Sequence, residues 1–301
     1  MDSRLFLRCV RRSGSTIVDE EGSHVSDEVQ EETDVLRYER RDRTCFITLN
    51  RPHAMNALSR KLRADLSDAL ADFNSDDELL VAVLSGEGGR SFSVGGDLRE
   101  LSQSQAVDTA TPRSKSAYPP VGARKGKLQG FDDVDETPKP IIAAIDGYCL
   151  AGGFELALYC DIRVATAKSV FGLPEPRRGL LAGPGLINLS RMIPLGEALR
   201  IQLTGSPISA ERAYQIGLIQ EVVPDRDALM ACAEQIADEI AECAPLAVQY
   251  IKRIVKQGRD LPIDAHWRFS EMFSASIEET EDYLEGPKAF VEKRKPNWRM
   301  R

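Results

Sequence analysis

The stretch "GYCLAGGFELALYCDIRVAT", residues 147–166, decides how the chain folds. Three small residues, Ala151, Gly152 and Gly153, open a helix whose first turn carries Glu155 among Phe154, Leu156, Ala157 and Leu158. "DIRVAT" (161–166) behind it and "PIIAAIDG" (140–147) ahead of it read as strands. A helix this apolar between two apolar strands packs against a sheet. A carboxylate in such a helix, just behind bare backbone amides, asks for a reason. The ordinary one is a first-turn acid facing the helix dipole. The chemical one is that helix N-termini present unpaired N–H donors and a partial positive charge to a ligand.

Two segments answer to that chemical reading. In "SFSVGGDLREL" (91–101), Gly95, Gly96 and Asp97 follow the strand-like "LLVAVL" (79–84), again where a strand gives way to a helix start. Glycine lets backbone N–H groups approach a ligand without a Cβ in the way. Two such amides aimed at one oxygen make an oxyanion hole, whereas either glycine pair alone makes a tight turn. Neither segment is a dinucleotide or phosphate-loop fingerprint. Glu175, in "FGLPEPRRG" (171–179), stands between Pro174 and Pro176, which keep it out of a helix interior. Where the chain returns after "DIRVAT", Glu155 and Glu175 can meet over the two amide sites and hold one water, one as base and the other as acid. Taken locally, Glu175 is a solvated turn carboxylate.

Further out, "VLRYERRD" (35–42) and "TCFITLN" (44–50) read as strands joined by a tight turn. "SRKLRADLSDALADFNSD" (59–76) predicts a helix capped by Ser59, with Leu62, Leu66, Ala69, Leu70 and Phe73 on one face. Strand, strand, helix recurs up to residue 206, and from 207 to 301 the pattern is mainly helical, a C-terminal helical subdomain behind an α/β core. Residues 1–34, basic and then acidic, predict a disordered N-terminal extension. Within it "VSDEVQ", from Val25, resembles an ordinary start, which mass spectrometry of the native N-terminus tests. The polar, Pro- and Gly-rich 103–130 predicts a long mobile loop.

Composition narrows the function. Net charge of −8 argues against a nucleic-acid surface, which needs a basic footprint. No apolar run approaches the roughly 18 residues of a membrane-crossing helix; "LLVAVL" is among the longest. Cys9, Cys45, Cys149, Cys160, Cys232 and Cys243 lack metal-ligand or paired spacing and read as free thiols, most of them buried, in a reducing cytoplasm. His24, His53 and His266 are too scattered for a metal site. The chemistry rests on carboxylates and backbone.

Five segments, in order, resemble the enoyl-CoA hydratase/isomerase (crotonase) family from Val35 to the C-terminus: "ITLNRPHAMNALS", "FSVGGDLREL", "PKPIIAAIDGYCLAGGFELALYCDIRVA", "FGLPEPRRGLLAGPG" and "EGPKAFVEKRKPNW". The resemblance implies an α/β fold, a crotonase-like spiral of ββα repeats with a C-terminal helical oligomerisation region, assembled as a homotrimer or dimer of trimers. It implies an acyl-CoA thioester substrate and no metal or redox cofactor, CoA being part of the substrate. By motif position, Gly96 and Gly152 look like the oxyanion-hole amides, and Glu155 and Glu175 like the two carboxylates of the hydratases. His53, Ala57, Val94, Asp97, Leu98 and Arg99 match positions near the substrate and CoA. Phe290 and Lys293 match a C-terminal pair that reaches a neighbouring subunit's CoA. The activity implied is reversible hydration of a 2-enoyl-CoA. The alternatives are another enolate reaction (isomerisation, dehydration of another acyl-CoA, decarboxylation or thioester hydrolysis) or a non-catalytic CoA- or RNA-binding protein on the same fold. A serine peptidase is disfavoured, because no Ser/His/Asp arrangement lies near the glycine motifs. Val94 stands where the family often has Ala or Ser, Phe154 where a small residue is common, and "EPRRGLLAGPGL" where the family has "PEIxLGxxPGxGG". Arg177 and Arg178 read as solvated or interfacial, or as contacts to a polar acyl group.

Overall fold

Leu36–Arg41 (β1) and Thr44–Leu49 (β2) pair antiparallel around Asp42, whose φ of 49° makes the tight turn. The structure, a computed structural model, describes residues 34–100 and 129–301. The expected N-terminal extension and the long loop therefore fall almost wholly outside the described residues. Helix α1, Arg60–Ser75, follows the predicted pattern: Ser59 accepts the N–H of Leu62, and Leu62, Leu66, Ala69, Leu70 and Phe73 are its buried residues.

Three times the chain then lays one strand in a large sheet and the next in a small one. Val81–Gly86 (β3) leads to Ser91–Ser93 (β4); after Phe131–Glu136 (α2), Ile141–Ile145 (β5) leads to Tyr148–Leu150 (β6); and after Gly152–Tyr159 (α3), Ile162–Thr166 (β7) leads to Val170–Gly172 (β8). A 3₁₀ turn at Glu175–Arg178 and helices Gly185–Met192 (α4) and Leu195–Thr204 (α5) follow. Next come Ile208–Ser209 (β9), Ala210–Gln215 (α6) and Glu221–Val223 (β10). The large sheet runs β1-β2-β3-β5-β7-β10 and the small sheet β4-β6-β8-β9. All neighbours are parallel except β1/β2 and β8/β9. This is the spiral of ββα repeats.

At the centre of the large sheet β3 and β5 are covered on both faces, so these strands are largely apolar rather than alternating. Ala82, Leu84, Ile141, Ala143 and Ile145 join the core that holds α1, α3 and the small sheet. The intervening Val81, Val83, Ile142 and Ala144 pack on Leu229, Ala233, Ala237 and Ala241 of the helix Arg226–Ala241 (α7). Small residues every fourth position let that helix lie close on the sheet. Helix α7 thus completes this side of the core. Residues 34–301 form one compact unit. Pro245–Gly258 (α8), Ile263–Glu278 (α9) and Glu281–Glu292 (α10) follow. They leave large apolar side chains exposed, among them Ile251, Val255, Trp267, Met272, Leu284 and Val291. Among the described residues no helix is long and apolar enough to cross a membrane. Cys45, Cys149 and Cys160 are buried free thiols, whereas Cys243 is exposed.

Candidate active site

The two glycine segments come together at the ends of β4 and β6. Gly95 has φ of +93°, and a methyl group on it would stand 2.7 Å from both the Ala151 Cβ and the Gly152 nitrogen. A methyl group on Gly152 would in turn lie 3.5 Å from the Gly96 nitrogen, so the two amides are neighbours. Ala151 has φ 51° and ψ −134°, a conformation that L-residues rarely adopt and that costs on the order of 1–3 kcal/mol. Hydrogen bonds on both sides hold it: its N–H donates to the Gly172 carbonyl at 2.9 Å, and its carbonyl accepts from Glu155 N–H at 3.0 Å. The strained residue places Gly152 at the first position of α3, where its N–H has no intrahelical acceptor. Among the described residues neither Gly96 nor Gly152 donates its N–H to another residue of the chain.

Glu155 and Glu175 flank these amides at the edge of one cavity of about 870 Å³. They are 7% and 9% exposed, so burial is the dominant influence on both. Burial raises the Glu155 carboxyl above its ordinary value; the N–H of Gly185, donating to its Oε1 at 2.9 Å, and that of Gly183 work against the shift, while the negative charge of Glu175 adds to it. Burial raises Glu175 as well, opposed by its own backbone N–H and by the positive charge of Arg178. Glu175 reaches the cavity because β8 ends at Gly172 and Pro174 leads straight into the 3₁₀ turn. Its Oε2 is buried and has no hydrogen-bond partner among the described residues. Burial is thus the largest influence at Glu155.

His53, Ala57, Val94, Leu98 and Arg99 line the same cavity. Asp97 lines it too, but its carboxylate is engaged: it pairs with Arg51 at 3.1 Å and accepts the Arg99 N–H at 3.1 Å. Despite burial, Arg51 and that N–H hold the Asp97 carboxyl below its usual value. Phe290 and Lys293, near the end of α10, are not among the cavity's lining residues in this chain, and Phe290 is 85% exposed.

Sequence reasoning passed over several residues here. Phe131, Leu150 and Leu180 supply an apolar wall. Asn56 is fully buried with φ of 54°; it accepts the Arg51 N–H and donates to the carbonyls of Glu87 and Ser91. Its own carbonyl accepts from Ser93 Oγ at 2.8 Å, so one side chain and its backbone tie the 51–58 loop to the strand that leads into Gly95. A left-handed Asn in a loop is a common turn residue, and only its burial reveals this task. Among the described residues no group of His, Cys, Asp and Glu is arranged to hold a metal ion.

An unpaired amide couple beside two buried carboxylates can stabilise a developing oxyanion and move a proton. Residues 39–301 match the enoyl-CoA hydratase/isomerase family, and the chain belongs to it. It is similar to (E)-benzylidenesuccinyl-CoA hydratase of Thauera aromatica, with 39% identity over 255 residues that cover 84% of this chain and 94% of that protein. It is also similar to carnitinyl-CoA dehydratase of Salmonella typhi, with 34% identity over 260 residues, 85% of this chain and 94% of the other. Among solved structures, enoyl-CoA hydratase from Mycobacterium tuberculosis H37Rv superposes with a TM-score of 0.79 at 35% identity, covering 89% of this chain and 99% of that one. Enoyl-CoA hydratase from Bacillus anthracis gives a TM-score of 0.78 at 30% identity, covering 89% and 100%.

Proposed function

We propose that this protein is a hydro-lyase that reversibly adds water across the double bond of a 2-enoyl-CoA thioester. The N–H groups of Gly96 and Gly152 donate to the thioester oxygen, and a water sits between Glu155 and Glu175. The ionised carboxylate of the pair takes a proton from the water as its oxygen bonds to Cβ. The resulting enolate is held by the two amides, whose worth grows with the charge on the oxygen. The protonated carboxyl then delivers its proton to Cα, so one water is consumed and both of its hydrogens are accounted for. Two buried carboxyls with raised proton affinity suit this exchange, because one must be neutral while the other is charged. The scheme needs neither metal nor redox cofactor.

The observation that carries the reading is the buried Oε2 of Glu175, on a carboxylate whose charge is felt by Glu155 and beside the Gly96 and Gly152 amides, all without hydrogen-bond partners among the described residues. His53, Ala57, Val94, Leu98 and Arg99 serve the CoA and acyl chain along the cavity wall, and Asp97 serves them through Arg51. Phe290 and Lys293 serve the CoA of a neighbouring subunit in a cytoplasmic homotrimer or dimer of trimers, whose contacts the apolar side chains of α8–α10 suit.

Glu155→Gln and Glu175→Gln should each lower the hydration rate of a short 2-enoyl-CoA by about 10²–10⁴-fold, while calorimetry still registers CoA-thioester binding. Hydration at wild-type rate in either variant would overturn these roles.

A further inference from the structure

The strained Ala151 aims Gly152 only while its surroundings over-determine it, since a backbone in that region otherwise relaxes. At the head of α3 the Gly172 carbonyl holds it. The tail of α3 needs holding too: all eight of its residues are buried, so the carbonyls of its last turn must find partners within the protein. Two cations supply them. Arg163, on β7, donates to the Cys160 carbonyl at 2.8 Å and the Ala157 carbonyl at 3.4 Å. Lys256, on the distant helix α8, donates to the Tyr159 carbonyl at 2.9 Å.

The Lys256 ammonium has three N–H donors and three acceptors around it. Besides the Tyr159 carbonyl, Asp135 of α2 lies at 3.2 Å and Asp161 at 3.5 Å. Helix α2 also carries Phe131, which lines the cavity and meets the Tyr159 ring edge-on with centroids 6.5 Å apart. One ammonium thus ties together the two helices that bring Phe131 and Glu155 to the cavity. Lys252, one turn earlier on α8, anchors the brace itself: it pairs with Asp161 at 2.7 Å and donates to the Lys139 carbonyl at 2.9 Å. On the hydratase reading above, we infer that Lys256 is a positioning residue for catalysis, which holds the tail of α3 through the Tyr159 carbonyl and so keeps the Gly152 N–H and Glu155 aimed. Lys256 is not among the residues that line the cavity, and Tyr159 stands about 10 Å along the helix from Gly152. Its influence therefore runs through α3. Lys139 makes the same kind of cap at the tail of α1, donating to the carbonyls of Phe73 at 2.8 Å and Asp76 at 2.7 Å. Helix α1 carries none of the four proposed catalytic groups, so Lys139 is the control for the plain loss of a capping cation.

The test uses the full chain with a 2-enoyl-CoA, and kcat is taken per mole of folded protein. Lys256→Met keeps the aliphatic stem and loses the donor. Its kcat should fall by about 10–100-fold, up to the cost of a 1 Å misplacement, with KM little changed. Lys256→Arg, which can still donate to a carbonyl, should restore most of kcat. Lys139→Met should lose Tm but keep kcat. Hydrogen exchange of the peptide 151–160, which needs no substrate, should quicken in Lys256→Met and stay at the wild-type rate in Lys139→Met. Wild-type kcat in Lys256→Met overturns the inference. So does unchanged exchange of 151–160, or an equal fall of kcat in Lys139→Met, which would make Lys256 one stabilising cap among others. A folded wild-type protein that hydrates no 2-enoyl-CoA would overturn the hydratase reading instead, and the exchange would still decide whether Lys256 braces α3.

Discussion

Gly95→Ala should disable the site while leaving both carboxylates in place. The new methyl group would stand 2.7 Å from the Ala151 Cβ and from the Gly152 nitrogen. Carbon atoms rest at about 3.5–4.0 Å, so something must give by roughly 1 Å. Ala151 is pinned on both sides by its hydrogen bonds to Gly172 and Glu155, so the displaced group is the Gly152 amide. A 1 Å misplacement costs about 10²-fold, and loss of one oxyanion donor about 10²–10³-fold. We expect kcat for a 2-enoyl-CoA, followed by loss of the conjugated enoyl absorbance, to fall within that range while KM changes little. The variant also forces alanine to a φ near +93°. That costs about 1–2 kcal/mol, and the overlap adds about 1–3 kcal/mol. Tm should then drop by roughly 5–15 °C. Gly96→Ala is the stability control: a methyl group there meets nothing within 4 Å, and Tm should hold. Wild-type kcat and Tm in Gly95→Ala would refute the close apposition of the two glycine segments.

Asn56→Ala leaves the Glu87 and Ser91 carbonyls and the Arg51 N–H without their partner. It should remove about 2–4 kcal/mol of stability by denaturant titration, and a shift below about 1 kcal/mol would contradict that role. The raised proton affinities of Glu155 and Glu175 set a pH dependence. The native state holds these protons more tightly than the unfolded chain does, so their contribution is full below the ordinary carboxylate pKa of about 4.3 and is lost as pH rises through the raised native values. Glu155→Gln, which has no charge to desolvate, should therefore gain Tm relative to wild type between about pH 4 and pH 8. A flat or shrinking difference would show that Glu155 is not destabilised by its charge.

Long, capped, periodic elements were legible in the sequence. Helix α1 shows its cap and all five of its buried residues there, because a 3.6-residue period and a serine cap are purely local signals. Strands β4, β6 and β8 are only three residues each, too short for any period to register. Their pairing follows from the path of the spiral. The meeting of Glu155 with Glu175 was legible only as a condition on the chain's return. The Arg51–Asp97 pair, 46 residues apart, was not legible at all, because nothing local to Asp97 shows its partner. Nor did α7 announce that it covers the sheet, since its stripe of alanines looks like any helix in a helical region.

Hydration is tested most directly by incubating the protein with a 2-enoyl-CoA in ¹⁸O-labelled water and locating the label by mass spectrometry. One ¹⁸O should appear on Cβ of an intact 3-hydroxyacyl-CoA, and the label should vanish in the Glu155→Gln, Glu175→Gln double variant. Label in a released carboxylic acid with free CoA, or no label in any product of a folded wild-type protein, would contradict the account.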